Sequence, residues 1–121
     1  MGYCVSLANY DFEIKKENIK KALDAINKCP ELKIDTPYET IEDALAEELD
    51  MNDIGYDKEG NINNFCWNGE KLRDQEYAFK AIAPFLVSGS FLEYSGEEGT
   101  SWRWVSKDGK FFEISPKWEM P

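Results

Sequence analysis

Apolar and polar residues follow two rhythms along this chain, and each predicts its elements. Near the start, Tyr3, Val5 and Leu7 alternate with Cys4, Ser6 and Ala8, the two-residue period of a strand, before a loop through Asn9 to Glu13. Ile19, Ala22, Leu23 and Ile26 then recur at the spacing of one helix face, with Lys20, Lys21, Asp24 and Lys28 toward water and Pro30 as the stop. A second helix carries two start signals, Thr36-Pro37-Tyr38-Glu39 and Thr40-Ile41-Glu42-Asp43, and either one turns Ile41, Ala44, Leu45 and Leu49 inward. A hairpin follows from Asp53 to Trp67 around Lys58-Glu59-Gly60-Asn61. The third helix runs from Asp74 or Gln75 to Ala83, with Tyr77, Ala78, Ala81 and Ile82 toward the core and Phe79 to one side, until Pro84 ends or kinks it.

The segment from Gly89 to Ile114 predicts a three-stranded meander. Asp108-Gly109 suits a two-residue type I′ turn, because both residues accept positive φ. That turn sets Lys107 opposite Lys110, Val105 opposite Phe112, Trp104 opposite Glu113 and Arg103 opposite Ile114. A second turn around Gly96-Glu97-Glu98-Gly99 sets Ser95 opposite Thr100, Leu92 opposite Arg103 and Phe91 opposite Trp104. Opposed residues share a face, so Leu92, Tyr94, Val105, Phe112 and Ile114 form the core face, with Arg103 among them. Phe91, Trp102, Trp104 and Phe111 form the other, beside Glu93, Ser95, Ser106 and Glu113.

These elements give a single α+β domain over 1–121, in the order β-α-α-β-β-α-β-β-β. The expected architecture is an antiparallel sheet of about five to six strands with three helices mostly on one face. At 121 residues the chain is long enough for one hydrophobic core.

Charge narrows the functional classes. The net charge is -10 and histidine is absent, which removes the commonest general base and the commonest transition-metal ligand. Residues 31–59 hold eleven acids against two lysines, so this quarter of the chain carries nearly all of the excess. Cys4, Cys29 and Cys66 are odd in number and widely spaced, which suggests neither a disulfide framework nor a zinc site and fits a reducing, cytoplasmic setting. With Gly60 set at the glycine of a calcium loop, Cys66 falls where a bidentate glutamate is required, so no metal or other cofactor is expected. No apolar run is long enough to cross a membrane, and Met1 to Ala8 alternates rather than showing the charged-then-apolar pattern of a leader, so neither secretion nor membrane insertion is expected.

Two surfaces are candidate partner sites. The first is the acidic set Glu42, Asp43, Glu47, Glu48, Asp50 and Asp53, whose members near the C-terminal end of the second helix oppose its dipole. Clustered carboxylates steer toward basic proteins and repel nucleic acid itself. The second is the ring set Phe91, Trp102, Trp104 and Phe111, a protein- or peptide-binding surface if that sheet face is exposed. A third reading, carboxylate-based hydrolysis by Glu93 and Glu113 on one sheet face, ranks well below both.

The phrases GEKL (Gly69 to Leu72), AIAPFLVSGSFLE (Ala81 to Glu93) and WRWVSKDGK (Trp102 to Lys110) resemble a family of short acidic proteins of bacterial and phage genomes. The resemblance covers mainly residues 39–114. It implies a phage or mobile-element origin and no catalytic or binding residues. Together these readings predict a non-catalytic acidic binder, an inhibitor of a basic nucleic-acid-handling protein.

Overall fold

The computed structural model describes residues 4–69, 74–96 and 98–115. Its elements are β1 (Val5–Asp11), α1 (Ile19–Asn27), α2 (Ile41–Leu49), β2 (Met51–Tyr56), β3 (Ile62–Trp67), α3 (Gln75–Ile82), β4 (Phe91–Gly96), β5 (Ser101–Lys107) and β6 (Lys110–Ile114). The fold is α+β with the expected element order. Its strands divide between a four-stranded antiparallel sheet, ordered β1-β4-β5-β6, and the separate β2-β3 hairpin. Tyr3 in the predicted first strand and Glu70 to Leu72 of the GEKL phrase lie outside the described residues.

The N-terminal strand does not stop at Ala8. It shifts register between Leu7 and Asn9 and continues to Asp11, so the expected loop at Asn9 is strand. The extra residue at the bulge changes the parity of the strand and sets Tyr10 opposite Leu92 on the buried side. The chain then enters the core at Ile14, which exchanges two 2.9 Å backbone hydrogen bonds with Ile62 and so ties the hairpin to the sheet. Tyr10 strengthens the link, its ring lying 4.2 Å from that of Phe65 and its hydroxyl donating to Asn64 Oδ1 at 3.0 Å.

Of the two starts proposed for α2, Thr40 is the one used. Its hydroxyl accepts the Asp43 N–H at 3.1 Å, satisfying one of the unpaired donors of the first turn. The earlier start is blocked by Asn27, whose side chain binds Tyr38 like a neighbouring strand. Its Oδ1 accepts the Tyr38 N–H at 2.8 Å and its Nδ2 donates to the Tyr38 carbonyl at 3.0 Å. Ile41, Ala44, Leu45 and Leu49 are buried as their spacing requires.

On α3 the buried stripe is Gln75, Ala78, Phe79 and Ile82, and Tyr77 is exposed. The expected face is therefore rotated, with Phe79 fully buried in place of Tyr77. The cause is Gln75, a polar residue that joins the core side by donating from Nε2 to Asp50 Oδ2 at 2.8 Å. Once Gln75 belongs to the stripe, Phe79 follows at i+4.

The Asp108-Gly109 turn sets the predicted pairs of β5 with β6. The turn between β4 and β5 closes one residue later than expected, through bonds from the Gly96 N–H to the Thr100 carbonyl and from the Gly99 N–H to the Gly96 carbonyl. Ser95 then pairs with Ser101, Tyr94 with Trp102, Leu92 with Trp104 and Phe91 with Val105. A slip of one residue exchanges the faces of a strand. Trp104 is accordingly 3 % exposed and Trp102 and Phe111 pack against the core, whereas Val105, Phe112, Ile114 and Arg103 lie on the opposite face. Ser106 is buried on the core face, and its hydroxyl donates to the Ala83 carbonyl at 2.6 Å.

Candidate functional site

The predicted carboxylates divide three ways around α2. Asp43, Glu47 and Asp50 line one open cleft of about 610 Å³, together with Tyr38, Ala46, Asn52 and Asn68. Positions 43, 46, 47 and 50 follow one side of a helix, turned away from the Ile41-Leu45 stripe. The opposite wall comes from the hairpin, where Asn52 pairs with Cys66 beside the Met51 and Trp67 pair. Asn52 Nδ2 donates to Asn68 Oδ1 at 2.7 Å, which fixes both amides at the rim.

Glu42 and Glu48 take part in a different arrangement. Each accepts a hydrogen bond from a tyrosine hydroxyl, Glu48 from Tyr38 at 2.5 Å and Glu42 from Tyr56. Burial, helped by the bond to Glu42, pushes the Tyr56 phenol up to about 12. Tyr38 is raised for the same reasons, burial first and then Glu48. Both phenols therefore remain neutral donors at neutral pH. Asp53, the sixth predicted residue, stands exposed in the irregular part of β2 with φ 52° and does not line the cleft.

Asp50 is the structural pivot. It ends α2 in the left-handed conformation, φ 58°, which an aspartate tolerates better than a branched residue. Its carbonyl accepts the Asn68 N–H at 3.1 Å and its carboxylate accepts from Gln75, so one residue joins α2, the end of β3 and α3. Gly69 closes over this corner. A Cβ at 69 would stand 2.7 Å from Asp50 Oδ2 and 2.5 Å from Trp67 Cζ2, so any side chain here would force the indole or the carboxylate to shift. Beside it lie the Trp67 Nε1 and Tyr94 hydroxyl, both buried and without a hydrogen-bond partner among the described residues. Burial, with the Asp50 charge adding to it, holds the Tyr94 phenol well above the usual tyrosine range.

The other two candidate sets do not assemble. Phe91, Trp102, Trp104 and Phe111 are not one exposed surface, because the β4-β5 register sends Phe91 outward and the other three toward the core. Glu93 and Glu113 occupy opposite faces, so they cannot flank one scissile bond. Glu93 accepts from Arg103 Nε at 2.6 Å on the outer face, while Glu113 accepts from Trp104 Nε1 at 3.0 Å on the inner one. The cleft adds Tyr38, Asn52 and Asn68, which sequence reasoning did not identify. They are uncharged, and only the Asn27 clamp and the hairpin pairing bring them beside α2.

No helix among the described residues is long and apolar enough to cross a membrane. Comparison with family models, with curated proteins and with solved structures finds no match to this chain.

Proposed function

We propose that this chain is a non-catalytic acidic binding protein whose α2 surface receives basic side chains of a partner protein. The observation that carries the reading is the convergence of Asp43, Glu47 and Asp50 on one cleft, in the segment that holds most of the excess negative charge. The ion pairs of the described residues, Lys15 with Glu13, Lys80 with Glu76 and Arg103 with Glu93, all lie elsewhere. A lysine or arginine entering the cleft meets three carboxylates and the polar side chains of Asn52, Asn68 and Tyr38.

The chemistry favours a partner that handles nucleic acid. Such proteins present clusters of lysine and arginine to phosphate, and a surface of clustered carboxylates competes for those same groups. The chain would then act as an inhibitor in a bacterial cytoplasm, with the phage or mobile-element origin that its GEKL and WRWVSKDGK phrases imply. Direct nucleic-acid binding is disfavoured by the charge of -10.

The test is capture of partners from host lysate by the tagged chain, washed at low and then high salt, with the same capture by Asp43→Lys/Glu47→Lys alongside. A basic nucleic-acid-handling protein released by salt and lost from the variant supports the reading. A partner retained at high salt and indifferent to the variant defeats it.

A further inference from the structure

The four-stranded sheet has a second face, which carries the exposed Phe112 and Ile114. Strand pairing aligns Asp11, Phe91, Val105 and Phe112 in one row across β1, β4, β5 and β6, and Asn9, Glu93, Arg103 and Ile114 in the next. The alternate positions Leu92, Tyr94 and Trp104 are buried, so these rows face away from the helices. Phe91, Val105, Phe112 and Ile114 belong neither to the core cluster nor to the side chains packed against it. Phe112 is 46 % and Ile114 47 % exposed. Arg103 lies 4.3 Å over the Phe91 ring while paired with Glu93, which neutralises the middle of the face.

The charges at its two sides differ in sign. Asp11 stands on β1, while Lys107 and Lys110 stand at the β5-β6 end, opposite one another. We propose that this face is the interface of a homodimer in which two sheets pack face to face about a twofold axis parallel to the strands. That axis lays β1 of each copy over β6 of the other, bringing Asp11 toward Lys110 of the second copy, and it stacks the Phe91, Val105 and Phe112 rows. An in-plane axis across the strands sets Asp11 against Asp11 and lysine against lysine, so charge selects the first orientation.

The acidic cleft does not oppose this contact. Asp50, which lines the cleft, lies near the Tyr94 hydroxyl on the buried side of the sheet, so the cleft and this face are on opposite sides. Both clefts remain open on the outside of the pair, so the inference stands whether or not the proposed function does.

The test is sedimentation velocity of the full chain over a concentration series, with circular dichroism confirming that each variant folds. The wild type is expected to show a monomer-dimer equilibrium. Phe112→Ser should weaken association about 10-fold or more, since it removes a buried ring from each side of the axis. Asp11→Lys and Lys110→Asp should each weaken it, and the double variant should recover it. The proposal is overturned by a monomer at every concentration, by a dimer indifferent to Phe112→Ser, or by a double variant weaker than both singles.

Discussion

Leu92 stands directly opposite Trp104 on the buried face of the four-stranded sheet, and Trp104 Nε1 donates to Glu113 on the neighbouring β6. The indole also lies 4.8 Å from the Tyr94 ring in an edge-on contact, so it is the centre of the sheet's core layer. Trp104→Ala should therefore cost about 3–5 kcal/mol of stability. Val105→Ala, on the outer face, should cost under about 1 kcal/mol when measured on the monomer. Urea unfolding of both variants checks this, and the reverse ranking would place the β4-β5 register one residue away.

Gly69 lies against both Trp67 and Asp50. Gly69→Ala forces the indole or the Asp50 carboxylate to move, an overpacking expected to cost about 1–3 kcal/mol. Chemical denaturation measures it. A variant as stable as the wild type would mean that the corner joining α2 to α3 is looser than described.

The cap of α2 gives a smaller and separate effect. Thr40→Ala removes the acceptor for the Asp43 N–H and should cost about 1 kcal/mol, while Thr36→Ala should cost little because that residue caps nothing. Equal losses from the two variants would favour the earlier helix start.

Tyrosine titration reports on the Glu42 and Glu48 contacts. Tyr56 is pushed up to about 12, and Tyr38 and Tyr94 are also raised. A phenol whose folded value exceeds its unfolded value of about 10 contributes stability that is complete below that pH. The contribution is lost as pH climbs through the folded value. Ultraviolet absorbance should thus show tyrosines that titrate only well above pH 10, with stability falling over the same interval. Glu42→Gln should bring the Tyr56 transition down. An unchanged titration would show that Tyr56 does not donate to Glu42 in solution.

Local chemistry explains which parts of this fold are legible in the sequence. Asp108-Gly109 leaves one way to close its hairpin, so each β5-β6 pair follows from it. The loop from Gly96 to Thr100 has glycine at both 96 and 99 and can close in more than one place, so its register depends on packing that the sequence does not display. That one-residue slip carried Trp102, Trp104 and Phe111 from the supposed outer face into the core. Gln75 misdirects in the same way, because a buried amide looks like a solvent position until Asp50 is placed beside it.

At the candidate site, charge made α2 conspicuous, but only tertiary contacts sort its acids. Glu42 and Glu48 are held by Tyr56 and Tyr38, which approach from the hairpin and from the Asn27 clamp. Asp43, Glu47 and Asp50 are left to line the cleft. Asn52 and Asn68 carry no charge or spacing signal that would have announced them.

In the proposed function, the Asp43, Glu47 and Asp50 cleft receives basic side chains. Its most direct test is the affinity of the captured partner for wild type and for Asp43→Lys/Glu47→Lys, measured by calorimetry at low and at high salt. The variant is expected to bind about 10-fold or more weakly at low salt, a loss of about 1.4 kcal/mol, with an affinity that depends less on salt than that of the wild type. Equal affinities with equal salt dependence would contradict it.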